Sequence, residues 1–404
     1  MKRSLYLFSF LLAGSLYAND YDCCCYDPCD CCEVDCCEEY EPNLVEYRCY
    51  TPPFYDNSCV CGRALQGDVL YWYAKEMHLP YALMIEVEPS NQNDPPTLAF
   101  APEEYSYMGT KWQPGFRFGT GWTSERDGWD GLATWTYFRS KKSSDEEVPQ
   151  FGTLPMEPGE QALMNPWINP VASSMFTGQA TILFNEIDAH WKLYFNQVDL
   201  EIARKYWISK GCTLRPYGGV RVAWTKSEFE TFSYLNFGDP IFETDALISF
   251  QDKFTTHTLG GGLIGGFEPS WLFGGCCGFF GNVEFALLWQ RDKTRKKEDY
   301  TSDNQEEVPF VSYTNKTSDI RYVMQSVLDL AAGVRWDFTW CCGRIHTTID
   351  IGWEQHIWFD YNQLHTVADT WTLQGQGQSG FRTYDQMVSN LVLGGGFARL
   401  RLSF

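Results

Sequence analysis

Charged side chains alternate with apolar ones in several segments of the chain, at the two-residue period of a β-strand. Inside a closed sheet such charges cost little only where water is present, and there they would bias which solutes pass. The alternative is that the charges pair with one another and fill a narrow barrel. Eight residues are predicted to face the interior in this way: Arg117, Arg215, Arg221, Asp329, Arg335, Asp337, Arg399 and Arg401.

No catalytic or metal-binding arrangement stands out. The six histidines are scattered without the short spacing that zinc ligands require. No G-x-S-x-G sequence occurs, so the signature of a nucleophile-elbow hydrolase is missing. The glycines between 260 and 266 lack a following Lys-Ser or Lys-Thr, and they indicate a bent or crowded strand rather than a phosphate-binding loop. We therefore predict no enzymatic activity, no cofactor and no metal.

Cysteines are concentrated near the N-terminus, where 11 of the 16 lie in an acidic and aromatic segment. Paired cysteines can bind soft metals, but an oxidising compartment favours disulfide bonds. An ideal disulfide holds its Cα atoms about 4.4–6.8 Å apart, so each member of an adjacent pair is expected to find a separate partner, within the chain or on another chain. The candidate disulfide cysteines are Cys23, Cys24, Cys25, Cys29, Cys31, Cys32, Cys36, Cys37, Cys49, Cys59, Cys61, Cys212, Cys276, Cys277, Cys341 and Cys342.

The first residues predict export. Lys2 and Arg3 precede an apolar run, and a small-residue exit ends at Ala18, after which we expect cleavage. No later segment reaches the roughly 18 consecutive apolar residues of a membrane helix. The predicted divisions are a signal peptide at 1–18, a cysteine-rich segment at 19–62 and a barrel at 63–404.

Composition favours a β-rich chain, because aromatic residues make up 17% and glycines number 34. A mean hydropathy of -0.33 is compatible with a membrane barrel, since only the outward half of each strand must be apolar. The formal net charge of -21 argues against nucleic acid as a partner and against binding of anionic lipids, because both attract basic surfaces.

Ten segments show the alternation of a strand, and bacterial single-chain barrels have an even strand number. The predicted strands are Gly67–Ala74, Trp112–Trp122, Leu132–Arg139, His190–Trp207, Leu214–Thr225, Thr255–Phe267, Phe280–Gln290, Tyr322–Trp340, Ile345–Trp358 and Leu391–Phe404. The fold class is therefore all-β, a transmembrane antiparallel outer-membrane barrel of about ten clear strands, with up to 16 possible, behind a cysteine-rich periplasmic leader.

Connection lengths alternate along the chain. Short turns at 125–130, 209–213, 269–278 and 341–344 separate the long predicted loops at 75–110, 140–186, 226–254, 291–319 and 360–390. All short turns then lie at one end, as in outer-membrane barrels, where that end is periplasmic. The leader and the five later cysteines fall on this same side.

The last strand ends the chain on an aromatic residue, Phe404. Its apolar residues fall on one face and Arg399 and Arg401 on the other. We predict that it pairs with the first strand to leave no open edge in lipid, and that Phe404 is an assembly signal for a barrel-assembly machine.

The chain resembles the major outer membrane proteins of the Legionella type and their chlamydial-type relatives. The likeness is carried by 214–221 (L-R-P-Y-G-G-V-R), the glycine-rich 259–266, 281–289 (G-N-V-E-F-A-L-L-W) and the terminal R-L-S-F, and it spans roughly 62–404. It implies an abundant, porin-like surface barrel, often disulfide-linked to neighbours and sometimes an adhesin. The dense cysteine leader departs from the Legionella members and fits an envelope that relies on disulfides for rigidity.

The leading hypothesis is an outer-membrane porin for small hydrophilic solutes, stapled by its cysteines. The alternative is a closed structural or adhesin-type barrel without pore activity. An outer-membrane enzyme with a site assembled from distant residues ranks third. The expected partners are outer-membrane lipid, the assembly machinery, disulfide-linked or identical neighbours, and the solutes.

Overall fold

A computed structural model of the chain describes eleven segments of it, which apart from Gly62 all lie in the predicted barrel region. Cys212 and Cys277 lie within them, and the other fourteen candidate cysteines lie outside. Among the described residues, no helix is long and apolar enough to cross a membrane. The described segments are 62–87, 100–124, 128–148, 161–168, 183–209, 211–238, 245–273, 277–304, 311–340, 345–374 and 377–404.

Ten antiparallel strands close into a barrel, which confirms the predicted fold class. In the order of the wall they are β1 (Gly62–Glu76), β4 (Trp112–Thr123), β5 (Trp129–Glu147), β7 (Glu186–Arg204), β9 (Cys212–Gly238), β10 (Asp245–Leu272), β11 (Cys277–Asn304), β12 (Val311–Trp340), β13 (Ile345–Gln374) and β14 (Gly377–Ser403). The predicted pairing of the last strand with the first is confirmed, since Val69 lies opposite Ala398. A short β8 (Tyr206–Ser209) pairs with the start of β9.

The strands are staggered around the barrel. Each residue of the wall has a directly opposed partner on the next strand. Starting at Arg117 on β4 and following these partners through β5, β7, β9, β10 and β11 leads to Val323 on β12. Following the partners the other way, through β1, β14 and β13, leads to Arg335 on β12, which is 12 residues after Val323. A stagger of this size tilts the strands by about 35–45°. Directly opposed residues therefore do not lie at the same height in the membrane. From one strand to the next, the residue at equal height is offset by roughly one position from the directly opposed residue.

Aromatic side chains mark two levels on the outer face. With the stagger included, exposed Trp112, Trp224 and Trp289 fall at one level. Trp122, Trp271 and Phe279 are also exposed and fall at a second level. Trp112 and Trp122 are ten residues apart on β4, which corresponds to about 25 Å along the barrel axis and matches the apolar band of outer-membrane barrels. We call these levels the upper and lower girdles, the lower lying at the short-turn end.

The strands continue far beyond the upper girdle. β12 and β13 each have 30 residues, although about 9–11 suffice to cross a membrane. The predicted loops at 226–254, 291–319 and 360–390 are therefore wrong for most of their length, because they form paired strands. Above the apolar band polar residues appear on both faces of a strand, interrupted by buried side chains such as Phe229 and Phe254. The regular alternation therefore disappears while backbone pairing continues.

A small second sheet occupies the long-hairpin end. It consists of β2 (Pro80–Val87), β3 (Phe100–Tyr107) and β6 (Gln161–Met164), within two more of the predicted loops. Trp167, just after β6, is fully buried against Phe229 and Phe254 of the barrel wall, and its Nε1–H donates to the carbonyl oxygen of Pro80 at 2.6 Å. The sheet and its flanking residues therefore cap the mouth.

A buried carboxyl group sits beneath this cap. Asp252 on β10 is buried about eight residues beyond the upper girdle, and its Oδ1 lies 3.7 Å from Nζ of Lys296. The same ammonium donates to the carbonyl oxygen of Trp167 at 2.8 Å. Burial raises the pKa of Asp252 to about 7, because desolvation outweighs the opposing charge of Lys296 and Glu298 adds repulsion.

The raised pKa predicts that the protein loses stability as pH rises. Between the unfolded pKa and about 7 the native carboxyl holds a proton that the unfolded chain has released, so the free energy of unfolding falls as pH rises through this window. We expect a decrease of about 2.5 kcal/mol from pH 5 to pH 8 through this group. Asp252→Asn should remove the decrease in denaturant titrations, whereas Glu104→Gln at an exposed position should keep it. Equal pH profiles for the wild type and Asp252→Asn would contradict the assignment.

Candidate functional site

Five charged side chains of alternating sign form one row across five neighbouring strands. Arg117, Asp68, Arg399, Asp350 and Arg335 are direct cross-strand partners on β4, β1, β14, β13 and β12. Opposite charges on facing strand positions attract, and here each carboxylate lies between two guanidinium groups. Arg117 Nη1 lies 2.9 Å from Asp68 Oδ2, and Arg335 Nε donates to Asp350 Oδ1 at 2.7 Å. We call this row the charge ladder.

Arg221 on β9 is the centre of a second cluster. It donates through Nε to Asp199 Oδ1 at 2.7 Å and through Nη1 to Asp329 Oδ2 at 2.6 Å, and it also bonds Glu284. Asp329 in turn lies 2.7 Å from Nδ1 of His356. All five residues are buried, so the guanidinium exchanges its water for three carboxylates from three different strands.

A glycine makes room for one member of this cluster. Tyr217 on β9, Gly266 on β10 and Glu284 on β11 are consecutive partners in one row. The Tyr217 hydroxyl crosses over the glycine and donates to Glu284 Oε2 at 2.9 Å. A Cβ at position 266 would lie 2.7 Å from that hydroxyl oxygen, so a larger residue would displace the ring. The glycine-rich segment thus includes the predicted place of close approach.

The remaining predicted charges lie nearer the short-turn end. Arg215 bonds Asp130 and lies 3.7 Å from carboxylate oxygens of Glu201 and Glu268. Arg335 Nη2 lies 2.7 Å from Glu268, which joins this group to the charge ladder. Arg401 donates to Gln66 Oε1 at 2.8 Å. Asp337 accepts a hydrogen bond from Thr348 at 2.7 Å.

Several of these pairs cross the lumen rather than run along the wall. Arg117 on β4 lies 3.2 Å from Glu354 on β13, three strands away around the wall. Side chains from all ten barrel strands line a cavity within the network, and its volume is about 80 Å³. That space suits a few water molecules. The ion pairs therefore fill most of the cross-section at this level.

An apolar layer lies above the charged one. Phe195 on β7 and Trp358 on β13 come from opposite walls of the barrel, and their ring centroids are 5.6 Å apart. Trp72 contacts Phe138 at 5.5 Å between centroids. The layer consists of buried Leu70, Trp72, Phe138, Trp191, Phe195, Trp358, Leu391 and Leu393. Contact between opposite walls means that this layer also spans the interior.

The eight residues singled out from sequence all take part in these interior contacts. Sequence reasoning missed their partners, among them Asp68, Glu268 and Glu354. The sequence does hold a signal for these carboxylates, which is their place in the two-residue alternation of a strand. Each follows or precedes an exposed apolar residue, as Glu354 follows Trp353. The alternation does not say which carboxylate pairs with which cation, because that depends on the stagger between distant strands. The missed carboxylates are Asp68, Asp130, Asp199, Glu201, Glu268, Glu284, Asp350 and Glu354.

The two described cysteines lie at the short-turn end. Cys212 starts β9, Cys277 starts β11, and both are half-buried free thiols. Their disulfide bonding stays a prediction, as does the role of Phe404, whose backbone pairs with Arg63 at the closing seam.

We predict that removing the central guanidinium destabilises the barrel. Arg221→Met leaves three neighbouring carboxylates without their shared counter-charge, and breaking a buried pair in this way costs about 3–5 kcal/mol. Denaturant unfolding in detergent micelles measures the loss. Arg63→Met, at an exposed position of β1, is the control and should change stability by less than about 0.5 kcal/mol. A loss at Arg221 as small as the control would show that water already solvates the network.

Comparison with known proteins supplies the family. No curated protein matches the chain. Among solved structures, the outer membrane protease OmpT of Escherichia coli aligns at 8% identity over 89% of this chain and 99% of its own, with a TM-score of 0.32. A FadL homologue of Pseudomonas aeruginosa aligns at 9% identity over 85% and 90%, with a TM-score of 0.26. The toluene transporter TodX of P. putida aligns at 8% identity over 86% and 91%, with a TM-score of 0.21.

These three scores are too low to support any argument about activity. The family model described as the Legionella pneumophila major outer membrane protein precursor matches residues 65–404, which is nearly the whole described barrel. The match agrees with the resemblance seen in the sequence and with the closed ten-stranded sheet. The chain therefore belongs to the major outer membrane protein family of the Legionella type, and it is an outer-membrane β-barrel protein.

Proposed function

We propose that this barrel is closed to solutes and acts as a structural and surface protein of the envelope. The observation that carries the proposal is the contact between Phe195 and Trp358, which meet from opposite walls. A sugar needs a continuous aqueous path, whereas the charged layer below this contact leaves a cavity of only about 80 Å³. Barrels of about ten strands have little room beyond their own side chains, and wide aqueous channels belong to barrels of about 16 strands.

The two described thiols support the structural part of the proposal. Cys212 and Cys277 stand at the short-turn end, which in outer-membrane barrels faces the oxidising periplasm. Bonds from this end to neighbouring chains would tie the barrel into a rigid envelope. The long hairpins and their cap would form the exposed surface on the opposite side.

Passive diffusion of small hydrophilic solutes is the second candidate. It is favoured by a cavity of about 330 Å³ at the short-turn end, lined by side chains that include Trp122, Asp337 and His346. This cavity would be a vestibule, and the charge network and the apolar layer would have to rearrange before solutes could pass. The absence of enzymatic activity stays a prediction. Among the described residues no group of three or more His, Cys, Asp or Glu is arranged to hold a metal ion.

Reconstitution distinguishes the two candidates. Liposomes that contain the folded protein should not swell in isosmotic sugar, and planar bilayers should show no stepwise conductance. A general-diffusion porin, inserted at the same protein-to-lipid ratio, is the positive control, and the heat-dependent shift of folded barrels on gels verifies insertion. Reproducible conductance steps that scale with the amount of protein would overturn the closed barrel in favour of the porin.

A further inference from the structure

The outer face just above the upper girdle carries a concentration of positive charge. Seven Lys and Arg side chains point outward there from four of the five neighbouring strands β5, β7, β9, β10 and β11, within about six residues of the level of Trp224 and Trp289. We call them the basic belt. Its members are Arg139 and Lys141 on β5, Lys192 on β7, Lys226 on β9, and Arg291, Lys293 and Arg295 on β11.

Strand register brings these side chains together. Tyr194 lies between Arg139 and Lys226 as their direct cross-strand partner, and His257 lies between Lys226 and Lys293. The Arg139 guanidinium stands 4.8 Å from the centroid of the Tyr194 ring. The belt is therefore a continuous surface across β5, β7, β9, β10 and β11 rather than a set of separate lysines.

Six of the seven belt members have no neutralising partner among the residues that the structure describes. Lys226 lies 2.5 Å from Glu228, and Glu230 just above them is held by Lys253 at 3.5 Å. Within the described part of the chain, the other six members have no carboxylate oxygen within 4.0 Å of their charged nitrogens. In a chain of net charge -21 with only 31 Lys and Arg, such clustering leaves a locally positive surface.

The belt also acts on His257. Burial lowers the pKa of His257, and the charges of Lys226 and Arg295 lower it further. Addition of a proton is thus opposed by the neighbouring cations, which agrees with an excess of positive charge at this point.

The height of the basic belt relative to the membrane determines which ligands it can contact. At about 2.5 Å of height per residue on a tilted strand, it lies up to about 15 Å above the upper girdle, where the head groups of the outer leaflet begin. Lys and Arg bind phosphate through charge-assisted hydrogen bonds, and the aromatic residues below offer a surface for acyl chains. We propose that the basic belt binds the phosphorylated head group of an outer-leaflet glycolipid of the lipid A class.

Lipid binding to the full-length, detergent-solubilised protein tests this proposal. The probe is lipid A with its phosphates, titrated by thermophoresis against the wild type and two triple variants. Lys226→Gln, Lys293→Gln and Arg295→Gln remove three charges of the belt. Lys253→Gln, Lys297→Gln and Lys316→Gln remove three charges on the same wall, further from the girdle. We expect at least a tenfold loss of affinity in the first variant and less than twofold in the second.

Three further titrations identify the ligand. Lipid A stripped of phosphate should bind at least tenfold more weakly than intact lipid A, and binding of intact lipid A should weaken as salt is raised. Phosphatidylglycerol vesicles and inorganic phosphate should compete poorly. Equal losses in the two triple variants, or equal binding of phosphate-free lipid A, would overturn the site. Full competition by phosphatidylglycerol or by inorganic phosphate would overturn the glycolipid as its ligand.

Discussion

The structure depends on neutralising charge inside a narrow barrel. A guanidinium group shut away from water is costly unless carboxylates replace its hydration, and a ten-stranded barrel has little room for water in its place. The chain meets this requirement by facing opposite charges across neighbouring strands, as Asp68 does between Arg117 and Arg399. Because the partners belong to different strands, the ion pairs hold together a specific register and stagger of the whole wall.

The interior is layered along the barrel axis. Charged pairs occupy the part towards the short turns, an aromatic layer follows, and the cap around Trp167 fills the mouth. The outer face has its own order, with an apolar band between two girdles and the basic belt above it. A single alternation of the chain therefore encodes two unrelated surfaces, one that meets lipid and one that fills the lumen.

Sequence alone predicts the strands that cross the apolar band, because there one face must be apolar and the other is charged. It also predicts which charges point inward, such as Arg221 and Arg399. It fails above the band, where residues 291–304 are polar on both faces and still form β11. It also fails to pair Arg117 with Glu354, since the contact requires a closed wall with a stagger that no local pattern contains.

Net charge is a poor guide to the partners of this protein. The value of -21 argues against anionic ligands, yet much of the negative charge lies in the cysteine-rich segment or is paired inside the barrel. A lipid or solute contacts one part of the surface, so the charge of that part decides whether it binds. At the basic belt that surface is positive, and in the lumen it is a set of matched pairs.

If the barrel is closed, ion pairs that cross the lumen lie in a filled interior rather than in a water-filled pore. A double-mutant cycle on Arg117→Met and Glu354→Gln, measured by denaturant unfolding, isolates the coupling between two such groups. A filled interior should give a coupling of about 2–3 kcal/mol that changes little between about 0.1 M and 1 M salt, because buried pairs are weakly screened. A coupling below about 0.5 kcal/mol that fades with salt would be that of a solvated pair, and it would contradict the closed barrel.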